Sequence, residues 1–164
     1  KRVLLDERNK TASKNLERVQ KEQYGGIEAT INSEMERINA TLYSEKVNPP
    51  ILHLEGNSYE FFTQDDTGTG IAYKGLVVYD LAIASLTKLP ILVHDSLILK
   101  QISDEAVENI LVRYMESGKQ VIISLDKQDS YSKRTAEILE KQCVLHLAPN
   151  GRELFGRAWS RQET

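Results

Sequence analysis

The segment from Asp65 to Ser96 constrains the fold of this chain more than any other. It opens with the loop Asp65-Asp66-Thr67-Gly68-Thr69-Gly70, continues as a long apolar stretch, and ends in an apolar run followed by Asp95. This order predicts a buried helix over 71–87 and a central strand over 89–94. Backbone N–H groups at a helix start can bind phosphate oxygens, and a carboxylate at a strand end suits Mg²⁺. The segment therefore indicates an α/β fold with an edge fit for phosphate and metal.

Alternating strand and helix patterns flank this segment. A β-hairpin is predicted first, with strands over 51–54 and 59–63 around a Gly-containing turn. After residue 96, the patterns predict a helix opened by Ser103 and ending near Glu116, then a strand over 120–124, a helix over 130–141 and a strand over 143–147. Strands joined through helices favour right-handed crossovers and a mostly parallel sheet with flanking helices.

Residues 1–46 predict a separate helical arm. Apolar side chains recur at spacings of mostly three or four between charged and amide residues, a narrow seam that is typical of a coiled coil: Leu16, Val19, Ile27, Ile31, Met35, Ile38 and Leu42. Gly25 and Gly26 interrupt it and cost about 1 kcal/mol each in a helix, so we expect a kink or the tip of a helical hairpin there. A plain solvated helix capping the domain is the alternative. Asn48-Pro49-Pro50 ends the arm, and residues 47–164 form the predicted lobe.

Composition narrows the class of protein. The net charge of −3 argues against a strongly basic nucleic-acid surface on this chain. One cysteine, Cys143, excludes an internal disulfide, and its apolar surroundings favour a buried structural thiol. No secretory signal is visible, and the apolar region 75–99 contains too many polar residues for a membrane span, so we expect a cytoplasmic protein without a membrane partner. Because the chain begins without Met, we also expect a piece of a longer protein.

Three familiar kinds of site do not fit the sequence. Lys74 follows the glycine loop but lacks the Gly-Lys-Ser/Thr spacing of a Walker A loop. A triad of His94, Asp95 and Ser96 is disfavoured because neighbouring residues on a strand face opposite ways. The histidines lie on separate elements without Cys or carboxylate partners, which does not support a zinc site: His53, His94 and His146. The glycine loop taken by itself is equally consistent with an ordinary turn.

The order of parts resembles the C-terminal lobe of SMC-, RecN- and RecF-like ABC ATPases. The coiled-coil arm, hairpin, Gly/Thr loop, buried helix and strand ending in aspartate follow one another as in that lobe. The segments 65–70, Leu81-Ala82-Ile83 and Leu89–Ser96 resemble more closely a bacterial SMC-like family whose C-terminal region is catalogued as a domain of unknown function. Its members occur in three-component ABC-type systems linked to defence. The likeness covers most of residues 47–148.

The resemblance implies roles for particular residues. Thr67, Gly68, Thr69 and Gly70 resemble the signature loop, which in such families contacts the γ-phosphate of ATP on the opposite subunit. Asp95 resembles the Walker B aspartate, which holds Mg²⁺ through water, and Ser124–Lys127 falls where the switch loop lies. ATP and Mg²⁺ are accordingly expected only together with the missing N-terminal lobe of the same protein or a partner subunit, and two heads would form a homodimer that acts on DNA through the full assembly.

Two departures from the family pattern concern catalysis. Ser96 stands where a glutamate normally orients the attacking water, and a serine is a poor base near neutral pH, so turnover is slow or uses another carboxylate such as Glu105. The switch-loop histidine is also absent. The sequence thus favours part of a composite ATPase, inactive by itself, in DNA maintenance or phage defence. The alternative is a non-catalytic α/β interaction module that dimerises through its N-terminal helix; a hydrolase using Ser96 is discounted.

Overall fold

The computed structural model describes residues 2–126, 130–148 and 151–156. Contacts group the chain into two compact units, residues 1–127 and 128–164. In unit 1 the elements are α1 (Arg2–Asn39), β1 (Pro50–Glu55), β2 (Ser58–Thr63), α2 (Thr69–Leu86), β3 (Ile91–His94), α3 (Ser96–Leu99), α4 (Asp104–Glu116) and β4 (Gln120–Ile123). Unit 2 contains α5 (Lys133–Gln142). The predicted boundary after residue 46 therefore lies inside a compact unit, near the end of the helical arm.

Helix α1 is a single helix of 38 residues. It continues through Gly25 and Gly26, so the predicted hairpin tip at that point is wrong. It ends at Asn39 rather than at residue 46, because the side chain of Asn39 turns to donate a hydrogen bond to the carbonyl of Val47. Its inner end is in the core, where Met35 is fully buried, whereas Leu16 is 59% exposed. The apolar seam thus packs against the lobe only over its last turns.

The hairpin of β1 and β2 is antiparallel, as predicted, with Pro50 opposite Thr63 and Glu55 opposite Ser58. Helix α1 satisfies the outer edge of β1 with polar side chains. Asn32 accepts a hydrogen bond from the N–H of Leu52 and donates one to its carbonyl, at 2.8 and 2.9 Å. One turn earlier, Glu28 accepts from the N–H of Leu54. Side chains of the helix therefore take the place of a neighbouring strand, which fixes the register of α1 on the hairpin.

Strands β3 and β4 are parallel, with Ile91 opposite Gln120 and His94 opposite Ile123. In the described residues this sheet has two strands, so the fold is mixed α/β with two small sheets rather than the extended parallel sheet that was predicted. Helix α2 supplies most of the core beside it, through Val77, Val78, Leu81, Ala82 and Ala84. One face of the sheet is apolar but uncovered, since Val93 is 65% and Ile122 49% exposed.

Among the described helices, α2 has the length and apolar composition of a membrane span. Length and composition are weak criteria, because the core helix of a globular domain meets them as well. Here α2 packs against α1 and carries a fully buried lysine and an aspartate hydrogen-bonded to β3. These features are those of a core helix.

The predicted strand over 143–147 is wrong. In unit 2, Cys143 ends α5, and the described residues 143–147 have no strand pairing; an isolated bridge joins Ala148 to Arg152. Cys143 is also exposed, so the prediction of a buried thiol is wrong as well. Both predictions rested on the apolar character of Cys143–Leu147, but a strand also needs a neighbour for its backbone groups. Trp159, in the tail that was predicted to be partly ordered, lies outside the described residues.

Candidate functional site

The Gly/Thr loop leads directly into helix α2. Gly68 is the N-cap in an extended conformation, Thr69 is the first helical residue, and the N–H of Ala72 bonds to the carbonyl of Gly68. The first-turn N–H groups of a helix have no partner within it and are the donors that an anion would use. One donor is already occupied, because the carboxylate of Asp66 accepts the N–H of Gly68 at 2.9 Å. A phosphate at this position would face that carboxylate.

Gly70 has a packing role in addition to any role in binding. A Cβ atom added there would lie 2.5 Å from the carbonyl oxygen of Gln101, which belongs to the turn between α3 and α4. Only glycine permits this approach of two backbones. The contact holds the start of α2 against the far end of α3, whose near end is capped by Asp95.

Asp95 lies at the carboxyl edge of the parallel sheet and is exposed. It is the N-cap of α3, and its Oδ1 accepts the N–H of Ser96 and the hydroxyl of Ser124, both at 2.6 Å. The bond from the Ser124 side chain, followed by that from the Ser96 backbone, lowers the pKa of the Asp95 carboxyl. The group is therefore ionised near neutral pH, and these two bonds both go to Oδ1.

Two more predicted residues have definite places. Ser96 opens α3, and its N–H also contacts the hydroxyl of Ser124 at 2.9 Å. Glu105 in the first turn of α4, suggested as a substitute base, accepts the N–H of Ser44 at 2.8 Å and so holds the connection after α1. In the predicted switch loop, Ser124 contacts Asp95 and Asp126 is paired with Lys100, while Lys127 lies outside the described residues.

His94 belongs to a cluster that the sequence did not reveal. Its ring is 3% exposed, with Nε2 2.9 Å from Oδ2 of Asp80 on α2 and Nδ1 2.5 Å from the hydroxyl of Tyr114 on α4. Both ring nitrogens are thus engaged by Asp80 and Tyr114, which agrees with the rejection of a triad. An aspartate at position 80 of a mostly apolar helix was the signal that could have suggested a buried polar partner for His94.

Lys74 is the second feature that the sequence missed. Its side chain is fully buried, and its Nζ donates to Oδ1 of Asn39 at 2.8 Å and to the carbonyl of Asn48 at 3.1 Å. The ring of Tyr43 lies 5.8 Å away. Burial lowers the pKa of Lys74 to about 8. The ammonium thus joins the end of α1 to the second turn of α2, where no nucleotide could reach it.

The side chains available as ligands determine which metal ions this site could bind. In the described part of the chain, no three His, Cys, Asp or Glu side chains come together as a metal site. His53 pairs with Glu28, and His94 with Asp80, so neither histidine is a free ligand. Mg²⁺ is commonly held by one or two carboxylates together with substrate phosphates, and a single carboxylate, that of Asp95, fits this arrangement. Any ion here would depend on a bound nucleotide for most of its ligands.

Comparison with known proteins gives one family and one structural likeness. The family described as "Uncharacterised protein conserved in bacteria (DUF2326)" matches residues 35–159. A crystal structure titled as the SmcHead bound to the C-winged helix domain of ScpA is similar at 15% identity, with a TM-score of 0.48, over 63% of this chain and 35% of that chain. The chain thus spans about a third of that structure. No curated protein is a significant match.

Proposed function

The chain belongs to the bacterial DUF2326 family, and we propose that it is the C-terminal lobe of an SMC-like ATPase head. In this proposal Asp95 and the loop Thr67–Gly70 act on ATP that is bound by other lobes. The N-terminal ATPase lobe of the same protein supplies the nucleotide site, a second head supplies the other side of a sandwich, and ATP drives their dimerisation. The setting is the bacterial cytoplasm, in DNA maintenance or phage defence.

The observation that carries the proposal is the state of Asp95. It is an ionised, exposed carboxylate at the carboxyl edge of a parallel sheet, with its pKa lowered by Ser124 and Ser96. Ligands of open α/β sheets bind at this edge. Holding one carboxylate oxygen by two donors costs conformational freedom that a merely solvated aspartate would keep. The arrangement suits a carboxylate that must meet a metal ion in a fixed direction.

The small sheet supports a composite head. Parallel sheets are normally covered on both faces, and a two-stranded sheet is too small to be stable without further packing. Here Val93 and Ile122 leave one face apolar and exposed. A further lobe packed on this face would cover its apolar side chains and bring the nucleotide of that lobe to the edge that carries Asp95.

Each residue of the proposed site has a limited task. Mg²⁺, when bound with nucleotide, neutralises phosphate charge, and Asp95 fixes its position. The first-turn N–H groups of α2, with Thr67 and Thr69, donate to a γ-phosphate across the dimer. Ser96 replaces the usual base, so this lobe orients water poorly and turnover is slow. A slow ATPase of this kind acts as a clamp that closes on ATP and opens on hydrolysis.

Substitution of Asp95 tests the proposal. In the protein with its nucleotide-binding lobe, Asp95→Asn should remove most Mg²⁺-dependent turnover, because an amide oxygen is a much weaker ligand for Mg²⁺. Asp104→Asn, an exposed acid at the start of α4, is the matched control and should leave turnover unchanged. The chain by itself should not bind ATP. Full activity of Asp95→Asn, or micromolar ATP binding by this chain in calorimetry, would contradict the proposal.

The non-catalytic module remains the second candidate because one observation favours it. The outer part of α1 exposes Leu16, Val19 and Ile27 at 59, 39 and 47%, as a helix would if it dimerised. Under this function the chain forms a stable dimer without nucleotide, and Leu16→Lys converts it to a monomer in sedimentation experiments. Under the ATPase proposal, head dimerisation follows ATP and is lost in Asp95→Asn or Gly68→Asp.

A further inference from the structure

His94 connects β3, α2 and α4 at the position next to Asp95. Its ring lies between Asp80 of α2 and Tyr114 of α4, and its backbone is the last position of β3. Tyr114 is 5% exposed, and its ring centroid lies 5.6 Å from that of His94. We call this row of three side chains the His94 hydrogen-bond chain. An apolar side chain at position 94 would fill the same space without burying polar atoms, so packing by itself does not account for a histidine there.

The chemistry of the partners sets the direction of this chain. The carboxylate oxygen Oδ2 of Asp80 is an acceptor, so Nε2–H of His94 donates to it. With Nε2 as the donor, Nδ1 accepts from the hydroxyl of Tyr114. Burial raises the pKa of Tyr114, which keeps the phenol protonated and able to donate. The His94 ring makes both bonds in only one orientation, and hydrogen-bonded networks of this kind specify a unique arrangement.

The peptide bond after His94 leads directly to Asp95. The carbonyl of His94 accepts the N–H of Ser124 at 3.2 Å, while the hydroxyl of Ser124 donates to Asp95 at 2.6 Å. The end of β3 is thus held from the core by the imidazole and from the neighbouring strand end by Ser124. Asp80 adds a connection to α2, the helix that begins with the Gly/Thr loop.

We propose that His94, held by Asp80 and Tyr114, is a positioning residue that sets the direction of the Asp95 carboxylate relative to helix α2. This inference rests on the proposed function, since it concerns the same metal site. It assigns His94 no contact with nucleotide or metal. The His94 hydrogen-bond chain acts one step further from the metal, through the backbone of β3. Groups bonded directly to a metal ligand commonly change metal affinity about 10–100-fold when they are removed, which sets the upper limit here.

The test compares Mg²⁺ binding among variants of the protein with its nucleotide-binding lobe. Tyr114→Phe removes only the hydroxyl that donates to His94, and Asp80→Asn retains an oxygen that can accept from Nε2. Mg²⁺ affinity is measured by calorimetry on heads loaded with a non-hydrolysable ATP analogue. Tyr114→Phe should weaken it about tenfold, at the low end of the range for outer-shell partners. Asp80→Asn should stay close to the wild-type affinity.

A further variant separates positioning from general destabilisation. Val107→Ala removes buried apolar volume from α4 without removing a polar atom of the His94 hydrogen-bond chain, and should lower the melting temperature with wild-type Mg²⁺ affinity. If Tyr114→Phe does the same, the inference is overturned. A long-range ¹H–¹⁵N spectrum should show His94 as the Nε2–H tautomer in the wild type, and an Nδ1–H tautomer would also overturn it.

Failure of the inference can be distinguished from failure of the proposed function. Asp95→Asn should abolish the Mg²⁺ binding measured in the same calorimetry. If Asp95→Asn loses Mg²⁺ binding while Tyr114→Phe keeps the wild-type affinity, the positioning role of His94 is wrong and the proposed ATPase lobe is still supported. Unchanged affinity in Asp95→Asn would remove the metal site itself, and with it the proposed function.

Discussion

Replacing Gly70 by alanine tests how the start of α2 is packed. The added Cβ would lie 2.5 Å from the carbonyl oxygen of Gln101, whereas carbon–oxygen contacts normally begin near about 3.3 Å. The obstacle is backbone, so α2 or the turn after α3 must move by roughly 0.8 Å. Such overpacking costs about 1–3 kcal/mol. Alanine regains about 1 kcal/mol through helix propensity, which leaves a net loss of up to about 2 kcal/mol.

Urea denaturation followed by circular dichroism measures this loss as a lower midpoint at constant slope. Gly26→Ala is the matched control, because it makes the same chemical change inside a helix where nothing lies within 4 Å of the added Cβ. We expect the control to gain about 0.5–1 kcal/mol. If Gly70→Ala were as stable as Gly26→Ala, the close approach of the loop to Gln101 would be wrong.

The result also bears on the interpretation of the Gly/Thr loop. Because packing requires glycine at position 70, loss of activity in Gly70→Ala would not show a contact with phosphate. Gly68 is the better probe, since a Cβ there would meet only the flexible carboxylate of Asp66 at 3.2 Å and the side chain of Ile71 at 3.9 Å. Substitution at Gly68 can therefore change the charge facing an anion with little change in backbone packing.

Three further predictions concern the charge at this loop, the buried lysine and the arm. Gly68→Asp should abolish ATP-dependent head dimerisation in light scattering, because a carboxylate would meet the γ-phosphate; unchanged dimerisation would remove the signature assignment. Burial lowers the pKa of Lys74 from 10.5 to about 8, so the unfolded chain binds more protons between these values, and the free energy of unfolding should rise with pH across that range. The rise is at most about 3 kcal/mol, and in urea titrations at several pH values Lys74→Met should not show it. Asn32→Ala should cost about 1–2 kcal/mol in the same titrations, because it removes both bonds to Leu52, whereas Asn9→Ala on the exposed part of α1 should cost little.

The sequence predicted those elements whose signal is local. Hairpin strands expected over 51–54 and 59–63 are found as Pro50–Glu55 and Ser58–Thr63, and the apolar helix expected over 71–87 is found as Thr69–Leu86. Alternation, apolar periodicity and glycine turns lie within a few neighbouring residues, so they can be read without knowing the fold. The end of α1 was placed seven residues too far because Leu42 continues the apolar spacing although it is buried from within a turn.

The sequence did not predict the polar contacts within the core. Lys74 and Asn39 are 35 residues apart, and His94 is 14 residues from Asp80 and 20 from Tyr114. Such pairings depend on how helices and strands come together in space, which no local pattern contains. Sequence reasoning interpreted Lys74 only as a failed Walker A residue and His94 only as part of an unlikely triad. The positions of Asp95 and the Gly/Thr loop at a sheet edge and a helix start were expected, but their chemical roles stay predictions.

The uncovered sheet face links these structural points to the proposed function. A pair of parallel strands adds little stability by itself. The exposed side chains of Val93 and Ile122 leave apolar area in contact with water, and a partner packed on them would remove that area from water. The edge that carries Asp95 is rigid by contrast, because His94 and Ser124 hold it from two sides. A composite site requires a partner that docks on the sheet face and a carboxylate whose direction is fixed before docking. This lobe has both an uncovered sheet face and a carboxylate held by hydrogen bonds. Covering that face with the nucleotide-binding lobe should therefore protect the amides of β3 and β4 from hydrogen exchange without moving Asp95, and equal exchange with and without that lobe would argue against the composite head.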